Sequence, residues 1–259
     1  MLLNAVIIIL REVLEAALIV SVFLALSQLL NRKLWWMLLA MVAGFAGAYV
    51  YAANLSQLSM ALEGTGQEVL NASLHSLIFL CLLAFMISVP HQDRPVWRRI
   101  NLLTLVLAVI TAIIREGSEI ILYIRGFVGI PELLNPVLVG GAVGAGIGLS
   151  VGVFFYYLLV NMRTTYGIWL GYLILLLVGG SMVAQAVEFM IQADYISATT
   201  PLWDSSHIIS ERSAVGQLLY ALIGYEATPA PQQAAAYFCS IALLVFAACV
   251  SFFFRSKTP

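Results

Sequence analysis

Two five-residue words concentrate the chemistry of this chain. Arg11-Glu12-Val13-Leu14-Glu15 and Arg115-Glu116-Gly117-Ser118-Glu119 share the pattern R-E-x-x-E. On a helix, glutamates at i and i+3 with an arginine four positions before the second one all fall on one face. Carboxylate oxygens suit hard cations, whereas a soft-metal site would show Cys, Met or clustered His. Iron(III) fits that description, and on ligand chemistry alone so do Mg, Ca and Mn. Arg11 and Arg115 offset two of the four carboxylates. The remainder neutralises a divalent ion but not a trivalent one, and a fifth carboxylate from Glu68 or Glu188 would make up the difference. The bland alternative is an internal Arg–Glu salt bridge that locks each helix separately.

The elements that carry these words follow from composition. The chain has 259 residues, of which 62% are hydrophobic and 10% charged, with a mean hydropathy of +1.00. An ordinary soluble domain carries about 25% charged residues, so this chain cannot cover a water-facing surface and belongs in a membrane. A spanning helix needs ~20 mostly apolar residues. Seven segments qualify: Leu3–Leu30, Leu34–Leu55, Val69–Val89, Ile100–Ile124, Val137–Val160, Ile168–Ile191 and Ala235–Phe254. The first is not expected to be a cleaved signal, because its charges sit inside the apolar run and no basic region precedes it. A formal net charge of -1 gives no basic excess for nucleic acid. Cys81, Cys239 and Cys249 lie in apolar runs without a C-x-x-C pair, which excludes a disulfide framework or a thiolate site.

Short basic loops mark the cytoplasmic side. Arg32 and Lys33 follow span 1, Arg94, Arg98 and Arg99 follow span 3, Arg163 follows span 5, and Arg255 and Lys257 end the chain. The opposite loops contain Arg125 and Arg212 but also Glu63, Glu68, Glu132, Asp194, Asp204, Glu211 and Glu226. The expected orientation is N-terminus out and C-terminus in, in a cytoplasmic (inner) membrane.

The motif of span 1 recurs in span 4. An odd offset of three spans means that two three-helix units enter the membrane in opposite senses, as in inverted-repeat transporters. The expected organisation is a first unit over 1–97, a second over 98–192, an outer loop with an amphipathic helix over 193–234, and a seventh span with its tail over 235–259. At 1.5 Å per residue, both motifs lie ~12 to 18 Å from the outer end of their spans, near the bilayer midplane. Carboxylates there cost several kcal/mol each unless paired or hydrated, so they must face the interior. The repetition at matched depth favours a shared site over two separate salt bridges.

On these residues the chain resembles the oxidase-dependent iron permease family, whose mark is an R-E-G-x-E-type motif in the first and fourth spans. Span 4 matches it fully, while span 1 has Val13 where glycine is common. Glu63-Gly64, Gln67-Glu68, Val187-Glu188 with Gln192, Leu202-Trp203-Asp204-Ser205-Ser206, Ser210-Glu211-Arg212-Ser213 and Gly224-Tyr225 extend the likeness over almost the whole chain. The resemblance implies an iron permease that imports iron, classically as ferric ion delivered by an extracellular or periplasmic oxidase. It also implies Glu12, Glu15, Glu116 and Glu119 as metal ligands, Arg11 and Arg115 as supporting charge, and iron as cargo rather than a resident cofactor. Any oxidation step would belong to a partner, so the chain itself is not expected to be an enzyme.

Other residues carry weaker signals. Glu68 and Glu188 fall at the outer ends of spans 3 and 6, as candidate ligands on the path of an incoming ion or as solvated helix termini, and Glu63 is a weaker candidate. His75, alone inside span 3, reads first as a hydrogen-bonded packing residue. Gly140, Gly144, Gly148 and Gly152 form a four-residue stripe on span 5 that permits close helix contact, either as an internal seam against span 1 or 4 or as a homo-oligomer face. Gly44 and Gly47 on span 2 echo it. Val215, Leu218, Leu219, Leu222 and Ile223 form an apolar face at helical spacing, suited to the membrane interface. Two rival functions stay open: a proton-coupled transporter of another divalent cation such as Mn or Mg, and an intramembrane polyprenyl-diphosphate phosphatase. The phosphatase would want a Ser, Arg and His cluster to hold a diphosphate, and no Ser-Arg-Ser group occurs.

Overall fold

The computed structural model describes residues 2–91, 93–197, 199–211 and 213–255. Arg212 and Lys257, read above as orientation signals, lie outside the described residues. Among the described residues every regular element is helical: α1 (Leu2–Leu29), α2 (Trp36–Ala53), α3 (Leu55–Met60), α4 (Gly66–Ser88), α5 (Pro95–Arg125), α6 (Pro131–Asn161), α7 (Thr164–Gln192), α8 (Ala214–Ile223) and α9 (Pro231–Arg255). A 3-10 turn over Leu62–Gly64 follows α3, and a second over Val89–His91 follows α4.

Among the described residues five helices, α2, α4, α6, α7 and α9, are long and apolar enough to cross a membrane. Helices α1 and α5 are as long, but their apolar runs are interrupted by the two charged motifs. Several helices extend past the apolar runs that predict them, because a backbone ladder continues through polar residues once it is nucleated. Pro95 and Pro131 open α5 and α6, where a missing N–H costs nothing. The division expected between residues 97 and 98 therefore falls inside the first turn of α5. The short α3 and its 3-10 turn have no periodicity long enough to be predicted, and Leu62, Glu63 and Gly64 all take positive φ there.

Helix α1 packs most extensively on α6, and α5 on α2; α4 lies against both α5 and α7, and α7 also against α1 and α9. The glycine stripe of α6 is the first of these seams. A Cβ on Gly144 would stand 2.4 Å from the Val6 carbonyl oxygen, and one on Gly152 2.9 Å from Ala17 Cβ, so only glycine lets the two backbones close. Gly44 and Gly47 of α2 similarly receive Ile113 and Ile114 of α5. The motif glycine and its replacement also find their reasons. Gly117 of α5 faces Ala48 on α2, whereas Val13 of α1 faces Gly148 on α6, so the small residue has moved to the partner helix.

The apolar core runs through the centre of the bundle, with Phe23 and Phe85 meeting edge to face at 4.9 Å. Along α4 a polar chain is satisfied within it. Tyr51 Oη donates to Asn71 Oδ1 at 2.8 Å, His75 Nδ1 lies 2.7 Å from the Asn71 carbonyl and its Nε2 3.0 Å from Gln185, and Gln185 Nε2 donates to Ser181 at 3.0 Å. His75 is thus a hydrogen-bonded packing residue at the α4–α7 seam. Arg125, the cation that stood against the loop-charge pattern, donates to the Ala52 carbonyl at 2.6 Å and caps the end of α2.

Candidate functional site

The two motifs meet. Each makes the same internal pair, Arg11 Nε to Glu15 Oε1 at 3.2 Å and Arg115 Nη2 to Glu119 Oε1 at 3.2 Å, as the four-residue spacing dictates. Arg115 then crosses from α5 to α1, with Nη1 at 3.3 Å from Glu12 Oε2 and 3.4 Å from Glu15 Oε2, and it also pairs with Glu116. One guanidinium is therefore shared by all four glutamates.

The two arginines differ in setting. Arg115 is 2% exposed and central, whereas Arg11 is 25% exposed and sits at the rim, where of the four glutamates it reaches Glu15 and, at 3.9 Å, Glu12. Glu12, Glu15 and Glu116 are buried, while the Glu119 side chain is 32% exposed. Two polar atoms in the cluster, Arg115 Nε and Glu116 Oε1, are buried without a hydrogen-bond partner. Such atoms cost free energy, so the cluster is not fully satisfied by its own members. Among the described residues, no three His, Cys, Asp or Glu side chains are grouped as a metal cage. The carboxylates surround the guanidinium instead of closing on one point.

Two cavities flank the cluster. The first, of about 400 Å³, is lined by Arg11, Glu188, Gln192, Glu211, Gln217, Tyr220, Glu226 and Gln233 among others. Burial, together with the charges of Glu188 and Glu211 and against that of Arg11, pushes the Glu226 carboxyl up to about 7. The second, of about 500 Å³, runs between α1, α2, α5 and α6, where Glu12 and Glu116 are the charged members of a largely apolar wall that extends to Leu24 and Tyr157.

The expected site residues thus separate. Glu12, Glu15, Glu116, Glu119, Arg11 and Arg115 come together, and Glu188 stands in the first cavity next to the cluster's rim. Glu63 is exposed on its 3-10 turn, outside both cavities. Glu68 lies in the first turn of α4, partly buried, with Oε2 unpartnered. Glu211, Glu226 and Tyr220 were not expected at a site. In the sequence Glu226 is one of the acidic outer-loop residues, and Glu211 is that and part of one stretch of the family likeness.

Helix α8, expected as an amphipathic segment, is packed on α1 and α7. Leu222 reaches the core, while Val215 and Ile223 stay exposed. Ser213 caps it by accepting from Gly216 N.

Long apolar helices enclosing a buried charged cluster define a multi-pass helical membrane protein. The sequence pattern of the iron permease FTR1 family matches residues 1–257, and the chain belongs to that family. Membership places it among transporters of iron. No curated protein and no solved structure matches the chain.

Proposed function

We propose that this chain imports iron, as ferric ion, across a cytoplasmic membrane through a midplane site built from Glu12, Glu15, Glu116 and Glu119. The observation that carries the reading is the convergence of both motifs on Arg115. Four carboxylates held by one guanidinium, three of them buried and Glu119 at the exposed edge, form a ligand set whose resident cation is tethered. A hard metal ion competes with that guanidinium for the same oxygens.

In this reading seven helices cross the membrane, α1, α2, α4, α5, α6, α7 and α9, with the N-terminus outside. The pairing of α1 with α6 matches that of α5 with α2, and α4 with α5 matches α7 with α1, which supports two inverted three-helix units. The first cavity is then the outer approach, with Glu188 as its ligand nearest the cluster, while Glu68 lines neither cavity and is a candidate ligand outside them. The second cavity is the inward side. Oxidation of ferrous iron belongs to an external partner that delivers the ferric ion.

Metal uptake into proteoliposomes, comparing Fe(III), Fe(II), Mn and Zn, tests cargo and site together. Iron uptake is expected in the parent protein and near-complete loss in a Glu12→Gln, Glu116→Gln double variant that still inserts and folds. Undiminished iron uptake by that variant would overturn the site, and preference for Mn or Zn would overturn the cargo.

A further inference from the structure

The first cavity and the carboxylate cluster share one residue, Arg11. Its Nε faces the cluster, 3.2 Å from Glu15 Oε1, and its guanidinium carbon lies 3.9 Å from the centroid of the Tyr220 ring. The cation therefore stands between a carboxylate and an aromatic face, across the floor of the cavity that Glu188, Glu211 and Glu226 line. A guanidinium at this distance over a ring is held by the ring's quadrupole.

Tyr220 is presented by a helix fixed at both ends. Ser213 caps the start of α8, and at its end Gly224 takes φ 68° and sits so close to α7 that a Cβ would stand 2.8 Å from Ser181 Cβ. Tyr237 of α9 donates to the Ile223 carbonyl at 2.8 Å. Burial outweighs the nearby Arg11 charge and pushes the Tyr220 phenol well above its ordinary range, so the ring stays neutral.

We propose that Tyr220 is a gate-positioning residue: its ring face holds Arg11 across the floor of the first cavity, and a cation in that cavity reaches Glu12 and Glu15 only when Arg11 leaves the ring. This rests on the first cavity being the approach to the cluster. The class of ligand it discriminates is a multiply charged metal ion. Such an ion repels Arg11 and attracts the carboxylates that Arg11 contacts, whereas a neutral solute does neither.

The test is the rate at which an arginine-selective dicarbonyl, phenylglyoxal, modifies Arg11 in the purified full-length protein, read peptide by peptide by mass spectrometry. Tyr220→Leu keeps bulk and removes the π-face, and is expected to speed modification of Arg11 about three- to thirtyfold. Tyr220→Phe keeps the face and should hold the rate within about twofold of the parent. Modification of the central Arg115 should stay at the parental rate in both variants. An unchanged Arg11 rate in Tyr220→Leu, or equal acceleration by Phe and Leu, would overturn the proposal. Acceleration of Arg115 together with Arg11 would also overturn it, because α8 would then be packing and nothing more. The labelling requires no iron, so its outcome is separate from whether the chain transports iron.

Discussion

Arg115 of α5 donates to Glu12 of α1 across 3.3 Å, inside a bundle where neither side chain meets appreciable solvent. This pair joins the two motifs, and it makes Arg115 the residue whose loss strands the most charge. Removing one partner of a buried ion pair costs about 3–5 kcal/mol, because the other charge is left uncompensated.

Arg115→Ala should therefore lower the thermal midpoint in detergent far more than Arg11→Ala, whose partner Glu15 keeps Arg115. Arg115→Lys retains charge but loses the planar fork that reaches several carboxylates, and should fall between parent and Arg115→Ala. Equal midpoints for Arg115→Ala and Arg11→Ala would show that the central position confers nothing.

The exchange of a small residue between helices makes a second expectation. A Cβ on Gly148 would lie 2.9 Å from Val13 Cγ1, so Gly148→Ala should destabilise by about 1–3 kcal/mol through overpacking. Val13→Ala in the same chain removes the clashing methyl and should recover part of that loss. A double-mutant cycle checks it, with a coupling of at least about 0.5 kcal/mol expected. Strict additivity would mean that the two residues do not read each other.

Glu226 supplies a pH dependence. Its folded-state carboxyl titrates at about 7, above its ordinary range, so the folded protein holds a proton that the unfolded chain has released. That contribution to stability is fully present below the ordinary carboxylate range and is lost as pH rises through about 7. Over the same rise the first cavity gains a negative charge. Thermal midpoints measured across this interval should decline in the parent and decline less in Glu226→Gln. Parallel profiles would assign the titration to another group.

The two cavities on either side of the cluster set up a test of alternating exposure. With Cys81, Cys239 and Cys249 replaced, Gln217→Cys reports the first cavity and Leu24→Cys the second. Adding iron should change the thiol reactivity of the two positions in opposite directions. Simultaneous labelling of both, unaffected by metal, would indicate an open channel.

The parts legible in the sequence are those that repeat. Two words of one pattern, three spans apart, bring four glutamates together, and glycines at every fourth residue of α6 announce a helix seam whose partner, α1, only the fold selects. The unequal roles of Arg11 and Arg115 were not legible, because the shared pattern carries no sign of which arginine turns inward. The ring that meets the Arg11 guanidinium at the rim, Tyr220, stands more than two hundred residues further along the chain. Glu211 and Glu226 were invisible for a related reason. Loop carboxylates have no period, and only the folding of the segment after α7 gathers them with Glu188 around one cavity.

On the proposed transport reading, the central arginine also makes the resting protein an insulator. Arginine cannot give up its proton at physiological pH, so a fixed positive charge stands at the centre of the carboxylate cluster. Sodium, potassium and hydronium arriving there meet like-charge repulsion in a medium that screens it poorly, and a single positive charge gains too little from the surrounding oxygens to displace a tethered one. The membrane potential is then safe from short-circuit while no cargo is present. Discrimination against the abundant monovalent ions follows from valence before it follows from size.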